Sequence, residues 1–436
     1  MGLKEVTIIG GGLAGSEAAY QILKRGGAAT ILEMKPVKFS PAHSLPTLSE
    51  LVCSNSLKSE SMENASGILK EEMRACGSLI IRAAEATRVP AGNTLAVDRK
   101  AFSEFVTDEL KALGAKIIVG EAITMPEARP VIIATGPLTS DAFAGEIERV
   151  IGQGQGQGRL HFHDAVAPIV YRESIDLDKA FFASRYGKGG DDYINCPFTE
   201  EEYAKFFDEL VKADKVSPRA FEDNSYFERC MPIEVMASRG PKTLLFGPMR
   251  PVGLTDPRTG KRPFAVVQLR REDRDGNLCN IVGFQTRLTF PGQKKVFRLI
   301  PGLENAEFAR FGKLHRNSYI DSPRLLTATQ QLKKDPFVFF AGQITGVEGY
   351  VESAASGMMA GMNAFRVASG LTPVCPPPTT MTGALMGYIS DEGVKDFQPM
   401  NANMGLLPEA GSRQDRREAQ AKRALEDFRL WCDEHA

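Results

Sequence analysis

The chain has 436 residues, 43% of them hydrophobic and 25% charged, which is typical of a globular protein with two or three domains. Its net charge of −1 excludes a protein that holds nucleic acid through bulk positive charge, so any RNA contact needs a local basic face. The sequence has no apolar run of about 18 residues that could cross a membrane, and no targeting segment at its start. We therefore expect a cytoplasmic protein.

The first 35 residues predict a strand, a glycine-rich turn, a helix and a second strand. The turn is formed by Gly10, Gly11, Gly12, Leu13, Ala14 and Gly15. In this pattern Gly10 permits the tight turn, Gly12 lets a pyrophosphate approach the backbone, and Gly15 lets the helix pack closely. Glu33 lies 23 positions after Gly10, where a carboxylate can accept hydrogen bonds from a ribose. The unit predicts a dinucleotide site, with NAD and FAD both open at this point.

Two later segments, at residues 131–136 and 337–342, predict further strands of the same sheet, each ended by a turn of small residues. These turns resemble the additional flavin-contacting segments of glutathione-reductase-like flavoproteins, and they favour FAD over NAD. The resemblance implies cofactor contacts at Thr135, Gly136, Gly342 and Gln343. The fold prediction is α/β, a Rossmann-like FAD-binding fold of the glutathione-reductase type with an inserted α+β domain.

A change of composition after about residue 165 predicts the inserted domain, over residues 166–300. It holds a predicted helix over Glu200–Lys212 capped by Thr199 and a predicted hairpin that pairs residues 265–269 with 280–285. The FAD-binding domain is then discontinuous, 1–165 and 301–436, and it includes a charged C-terminal helix over 413–435. The Gly-Gln repeat at 152–158 predicts a flexible connector between elements.

The seven cysteines are scattered and form no C-x-x-C pair, so we interpret them as reduced thiols rather than zinc ligands or a redox couple. His161 and His163 would share one face of a strand, but only Asp164 accompanies them. No metal site is predicted.

Six further stretches are too particular for a generic flavoprotein, at residues 51–59, 184–189, 227–234, 315–320, 346–353 and 397–403. Over nearly the whole chain they resemble the TrmFO family of bacterial folate- and FAD-dependent tRNA (uracil-5-)-methyltransferases. The resemblance implies formation of 5-methyluridine at position 54 of the T-loop. It implies 5,10-methylenetetrahydrofolate as carbon donor, reduced FAD as electron donor and NADH or NADPH as reductant. The T-arm of tRNA is the expected partner of the inserted domain, and no obligate protein partner is expected.

The same resemblance implies the catalytic residues. A uracil methylase that adds a thiolate to C6 makes C5 nucleophilic, and we assign Cys230 as that nucleophile and Cys53 as the second thiol. Tyr350 is a candidate for removal of the C5 proton or for positioning, and His315 is a candidate pterin contact. The chain departs from the family pattern at residues 161–164 and at Arg229, which leaves the surroundings of Cys230 open.

Two basic clusters are candidate phosphate contacts, although each also fits a solvated charged face. One contains Arg287, Lys294, Lys295 and Arg298, and the other contains Arg413, Arg416, Arg417, Lys422 and Arg423. Three alternative functions stay open from the sequence. They are a wobble-uridine modifying flavoprotein of the same fold, an NAD(P)H-dependent flavin oxidoreductase without RNA, and a non-catalytic RNA-binding flavoprotein.

Overall fold

A computed structural model of the chain describes residues 4–152, 159–187, 190–216, 231–412 and 415–435. Its strands are β1 Glu5–Ile9, β2 Ala28–Glu33, β3 Ser56–Ser59, β4 Arg88–Val89, β5 Thr94–Val97, β6 Lys116–Val119, β7 Val131–Ile133, β8 Arg159–Ala165, β9 Ile169–Tyr171, β10 Phe181–Phe182, β11 Tyr193–Phe198, β12 Ala265–Arg271, β13 Leu278–Ile281, β14 Phe308–Arg310, β15 Leu314–Ile320, β16 Gln331–Leu332 and β17 Asp335–Phe340.

The helices are α1 Leu13–Lys24, α2 Ala65–Ala75, α3 Leu79–Ala86, α4 Arg99–Ala112, α5 Asp141–Ile151, α6 Glu200–Lys212, α7 Ile233–Ser238, α8 Thr243–Phe246, α9 Phe290–Phe297, α10 Ser322–Leu325, α11 Tyr350–Ala368, α12 Met381–Tyr388 and α13 Arg416–His435. Within the described ranges, no helix is long and apolar enough to cross a membrane.

The first sheet has six strands in the order β16-β17-β7-β1-β2-β6. All pairs among β17, β7, β1, β2 and β6 are parallel. Val and Ile residues fill β1 and β7 and are buried, as expected for parallel strands covered on both faces. The four strands predicted from the sequence, now β1, β2, β7 and β17, therefore join one sheet, and the fold prediction is confirmed.

Helices α1 and α11 cross against this sheet at very short range. A Cβ on Gly357 would overlap the carbonyl oxygen of Ala14, and one on Gly361 would meet the carbonyl of Ala18. Two turns of α11 thus need glycine so that the helices can touch through their backbones. This close packing fixes the start of α11 beside the glycine turn that begins α1.

The second sheet is antiparallel, in the order β10-β11-β12-β13-β9-β14. The predicted helix α6 begins at Thr199, whose side chain and that of Glu202 form a reciprocal capping box, and the predicted hairpin is present as β12 and β13. Strand β14 lies beyond residue 300 yet pairs with β9. The division at 166–300 therefore stays a proposal. The connector at 152–158 lies largely outside the described residues.

The prediction of uniformly reduced cysteines is wrong at one pair, because Cys76 and Cys432 are joined in a disulfide. Their Cα atoms are 6.4 Å apart, within the range that a disulfide spans. Cys76 caps the end of α2 and Cys432 lies on the buried face of α13. The two residues are 356 positions apart in the sequence, so no local spacing pattern could have paired them.

Candidate active site

A cleft opens at the edge of the first sheet where its parallel strands end. Gly10 follows β1, Glu33 ends β2, Thr135 lies just after β7 and Gly342 just after β17. The carboxyl edge of such a sheet is where ligands bind in open α/β folds. The cleft encloses about 1090 Å³, part of it open to solvent, and ten of the predicted cofactor residues line it: Gly10, Gly11, Gly12, Leu13, Ala14, Glu33, Thr135, Gly136, Gly342 and Gln343.

The glycine turn has the backbone shape that the sequence pattern predicts. Gly10 has φ +99°, and a Cβ on it would stand 2.6 Å from the Ala134 carbonyl oxygen. Gly15 does not line the cleft, because it packs against the Gly10 carbonyl so closely that a Cβ would overlap it. Gly12, by contrast, has no heavy atom within 4 Å of where a Cβ would stand. The backbone at Gly12 is therefore open for a ligand to approach.

Glu33 is 6% exposed, and its carboxylate is tied to the turn. One oxygen accepts a hydrogen bond from the Gly11 N–H at 2.8 Å, and the other accepts one from the Lys35 N–H at 3.0 Å. These bonds hold a negative charge at the end of β2, beside the start of α1. That is the place from which an acidic side chain contacts the ribose in dinucleotide folds.

The other end of the cleft is built by the turns after β7 and β17. Gly136 and Gly342 have φ +68° and +80°, which glycine adopts without strain. The Gly342 N–H donates to Ser356 Oγ on α11 at 2.9 Å, and the amide of Gln343 donates to the Glu348 carboxylate. The turn after β17 is thus held in place by its own hydrogen bonds.

Cys53 and Tyr350 meet at the rim of the cleft. Tyr350 is the first residue of α11 and lines the cleft. Its hydroxyl oxygen accepts hydrogen bonds from the backbone N–H groups of Cys53, at 2.7 Å, and of Ser54, at 3.1 Å. Burial raises the pKa of Tyr350 well above its ordinary value. A phenol whose oxygen is occupied and whose pKa is raised is suited to positioning the Cys53 loop rather than to accepting a proton.

Two arginines hold the same loop from the other side. Arg99 donates to the Leu51 carbonyl at 3.0 Å and Arg310 donates to the Val52 carbonyl at 3.2 Å. Arg99 also lies 2.6 Å from the carboxylate of Glu272, which is 2% exposed at its side chain. Burial, followed by the charge of Arg99, lowers the pKa of Arg310 to about 10. Both guanidinium groups interact electrostatically with Cys53, and nearby cations favour the thiolate that attacks or binds carbon.

Asn55 ties this loop to the second sheet. Its side-chain amide donates to the carbonyls of Val97 and Arg271 at 3.0 and 2.9 Å, and its oxygen accepts from Arg270 Nε at 3.0 Å. Arg270 and Arg271 end strand β12. The loop that carries Cys53 is therefore joined both to the second sheet, through Arg270 and Arg271, and to strand β5, through Val97.

Cys230 and the segment before it lie outside the described residues, as do the side chains of His161, His163 and His315. Burial raises the pKa of both Cys279 and Cys375 to about 12, and Cys196 is fully buried, which fits structural thiols. No cluster of metal-ligating side chains is present in the described part of the chain.

Several lining residues were not predicted from the sequence. They are Lys35, His43, Glu50 and Ser140, together with Ser353. His43 contacts Ser40 Oγ through Nδ1 at 2.6 Å, and burial lowers its pKa. It belongs to an irregular segment between Glu33 and β3, where no periodicity can place a side chain. Ser353 could have been found, because it follows Tyr350 by three positions and so shares its face of α11.

Comparison with known proteins places the chain in a family. The family model described as Glucose inhibited division protein A matches residues 5–372. The methylenetetrahydrofolate–tRNA-(uracil-5-)-methyltransferase TrmFO of Geobacter sulfurreducens is 56% identical over 431 residues, covering 98% of this chain and 98% of that protein. The chain belongs to the TrmFO family. The TrmFO protein of Aquifex aeolicus is 53% identical over 438 residues, covering 99% of this chain and 97% of that protein. The family resemblance read from the six sequence motifs is confirmed.

Solved structures agree on the fold. The form II crystal structure of Aquifex aeolicus GidA covers 99% of this chain and 73% of its own length, with a TM-score of 0.73 and 18% identity. The form I structure gives a TM-score of 0.69 at 18% identity. At this identity the match shows the architecture alone, which this TrmFO family member shares with GidA.

Proposed function

We propose that the chain is a methylenetetrahydrofolate-dependent tRNA (uracil-5-)-methyltransferase that forms 5-methyluridine at position 54 of the T-loop. The observation that carries the proposal is a cysteine, Cys53, held by Tyr350, Arg99 and Arg310 at the rim of a dinucleotide cleft. The near-full-length match to a curated TrmFO protein supports the same reaction. Cofactors and cosubstrates are FAD, 5,10-methylenetetrahydrofolate, and NADH or NADPH as reductant.

The cleft fits FAD on its own geometry. The pyrophosphate would lie over Gly12, where the backbone is open and where the first turn of α1 offers N–H groups and the positive end of the helix dipole. Glu33 would accept from the ribose of the adenosine. The turns at Thr135–Gly136 and Gly342–Gln343 would flank the flavin end. When bound and reduced by NADH or NADPH, FAD would supply the two electrons that convert a carbon at the formaldehyde oxidation level into a methyl group.

The residues of this chain supply the remaining chemistry. Uracil C5 becomes nucleophilic once a thiolate adds to C6, and elimination of that thiolate after loss of the C5 proton regenerates the aromatic base. We keep Cys230 as the nucleophile and Cys53 as the second thiol. The guanidinium groups of Arg99 and Arg310 favour negative charge at Cys53, while Tyr350 fixes the loop that carries it.

The partner is tRNA, through its T-arm, and we propose no obligate protein partner. A tRNA substrate also places the reaction in the cytoplasm. The base of a T-loop uridine is stacked within the folded elbow, so it would leave the stack to reach the cleft, as bases do for other modifying enzymes.

The test is to incubate the FAD-loaded protein with an unmodified tRNA transcript, methylenetetrahydrofolate labelled in its one-carbon unit and NADPH, and to map label by nuclease digestion and mass spectrometry. We expect label in 5-methyluridine of the T-loop, lost in Cys230→Ala and strongly reduced in Cys53→Ala. Label at the wobble position would instead favour a wobble-uridine modifying enzyme. Oxidation of NADPH without any label in tRNA would favour a small-molecule oxidoreductase.

A further inference from the structure

A solvent-exposed group of aromatic and basic side chains lies on the second sheet, outside the cleft. The aromatic–basic patch consists of Tyr186, Lys242, Phe246 and Arg250. Phe246 is 82% exposed and Tyr186 is 59% exposed. Single exposed apolar residues are common on protein surfaces, but here two exposed rings are accompanied by two basic side chains.

Tyr186 is held outward by a strained backbone. Its φ is +60°, which is uncommon for a residue other than glycine and costs free energy that the surroundings must offset. The Tyr186 N–H donates to the Gly253 carbonyl at 2.8 Å. The tyrosine ring lies over Gly253 itself, where a Cβ would stand 2.8 Å from a ring carbon. The preceding Arg185 is anchored inward, to Gln268 and to the Val252 carbonyl, each at 2.8 Å.

Phe246 is also held in solvent by the backbone around it. Its neighbours Leu244 and Met249 are fully buried, and both the Gly247 and Met249 N–H groups donate to the Leu244 carbonyl. This tight turn leaves the Phe246 ring in solvent at the end of α8. Arg250 then reaches the Tyr186 hydroxyl at 3.5 Å, so the turn and the tyrosine belong to one surface.

The charge of this segment contrasts with that of the whole chain. Residues 239–262 contain six basic residues and one acidic residue, a net charge of 6 − 1 = +5. The acidic residue, Asp256, is paired with Arg258 at 2.7 Å. Within the described residues, no carboxylate pairs with four of the basic side chains: Lys242, Arg250, Lys261 and Arg262.

Several members of the two basic clusters predicted from the sequence contact other groups of the protein, and Arg413 lies outside the described residues. Lys295 pairs with Glu209 at 2.7 Å, and Arg298 donates to the Ala306 carbonyl. In the C-terminal helix, Arg416 pairs with Glu409 at 2.8 Å and Arg423 donates to backbone carbonyls. A phosphate would have to displace these carboxylate or carbonyl partners, whereas within the described residues no carboxylate pairs with Lys242 or Arg250.

The patch and the loop that carries Cys53 are anchored to the same strand. Gln268, which holds Arg185, and Arg271, which holds Asn55, lie three residues apart on β12. At about 3.3 Å per residue the separation is about 10 Å. The patch and the Cys53 loop are therefore anchored at nearby positions of one strand.

From this construction we infer that the aromatic–basic patch binds a single-stranded loop of the RNA substrate, with bases stacked on Phe246 and Tyr186 and phosphates on Lys242 and Arg250. Aromatic faces stack on any base, and basic side chains contact phosphates without reading sequence. The inference rests on the proposed function for its RNA substrate, and it assigns the surface that holds this substrate.

The experiment measures binding of an unmodified tRNA transcript to the FAD-loaded full-length protein across a range of salt concentrations. Phe246→Leu should weaken binding about tenfold, while Phe246→Trp should keep it, because tryptophan stacks and leucine does not. The double variant Lys242→Ala/Arg250→Ala should bind more weakly. Its plot of log binding constant against log salt concentration should be less steep than that of the wild type by about 1 to 2. The matched controls are Val37→Ala, another exposed apolar residue at 77%, and Lys212→Ala, an exposed lysine of α6.

Flavin content and thermal midpoint check that each variant is folded. Wild-type affinity in both Phe246→Leu and Lys242→Ala/Arg250→Ala would overturn the inference and leave the proposed function intact. Failure of the wild-type protein to bind tRNA would overturn both together.

Discussion

At the residue scale, Gly12 is a glycine that the fold does not require but that ligand binding does. A Cβ there meets nothing within 4 Å, so Gly12→Ala should fold normally, yet the methyl group would occupy the space that a pyrophosphate needs. We expect the thermal midpoint of the flavin-free protein to stay unchanged and the flavin affinity to fall about tenfold or more. The ratio of flavin to protein absorbance after purification measures the loss.

Gly145→Ala is the matched control for that change. Its Cβ also meets nothing within 4 Å, but it lies in α5 and outside the cleft lining. Full flavin content in Gly12→Ala would show that the cofactor does not lie against the backbone of the glycine turn.

At Tyr350, a substitution can distinguish a positioning role from a role as the base. Because its hydroxyl accepts from two backbone N–H groups, Tyr350→Phe leaves both without an acceptor, and we expect a stability loss of about 1–3 kcal/mol. Methylation should fall about tenfold through misplacement of the Cys53 loop, with the alkaline side of the pH–rate profile unmoved. The measurements are urea unfolding and single-turnover rates over pH.

The control for Tyr350→Phe is Tyr388→Phe, which removes a hydroxyl that donates to the Gln398 carbonyl at 2.8 Å, outside the cleft lining. A rate loss of about 10³-fold without any loss of stability would instead identify Tyr350 as the base.

At the element scale, short-range patterns predicted most of the first sheet. Strand–turn signals at residues 6–10, 131–136 and 337–342 fall on β1, β7 and β17, because buried parallel strands are short apolar runs ended by glycine. Strand β14 and the loop at residues 51–55 gave no comparable signal. Their geometry comes from contacts distant in sequence, such as Arg310 with Val52 and Asn55 with Arg271, and no local periodicity encodes such contacts.

Helix α12 depends on a buried carboxylate from another element. Glu72, on α2, accepts hydrogen bonds from the N–H groups of Met381 and Thr382 and from the Thr382 hydroxyl, at 2.6 to 2.7 Å. Burial raises the pKa of Glu72 from 4.5 to about 7. Between these two values the folded protein keeps a proton that the unfolded chain has lost. The contribution of this group to stability therefore falls as the pH rises from about 4.5 to about 7, and is constant above.

We expect Glu72→Gln to remove that pH dependence. The amide also places an N–H₂ group against backbone donors, so the variant should be less stable by about 1–3 kcal/mol at mildly acidic pH. The difference in free energy of unfolding between wild type and variant should decrease by about 1–3 kcal/mol as the pH rises toward 8. Urea unfolding across this range measures both, with the exposed Glu63→Gln as control. A constant gap would mean that Glu72 keeps its ordinary pKa.

At the scale of the whole molecule, the second sheet meets the Cys53 loop and helix α4 at the rim of the cleft. Composition and motifs predicted both parts and the family, because these features are spread along the chain. They did not predict the meeting surface, where Arg99 and Glu272 form an ion pair 173 positions apart at 2.6 Å. Nor did they predict the aromatic–basic patch, because Arg250 reaches the Tyr186 hydroxyl across 64 positions of sequence.

The end of the chain is fastened to its first half by Cys76 and Cys432. A disulfide over such a long separation restricts the unfolded chain, so its loss should cost about 2–5 kcal/mol. Cys432→Ser should therefore lower the thermal midpoint in non-reducing buffer, and reductant should bring the wild type down toward the variant. Methylation should persist, because α13 packs on α2, away from the cleft. The control is Cys375→Ser, in which the disulfide is intact. Its thermal midpoint should fall on addition of reductant by the same amount as that of the wild type. If wild type and Cys432→Ser melt alike in both buffers, the pair is reduced in solution, and packing of Phe428 and Trp431 alone holds the helix in place.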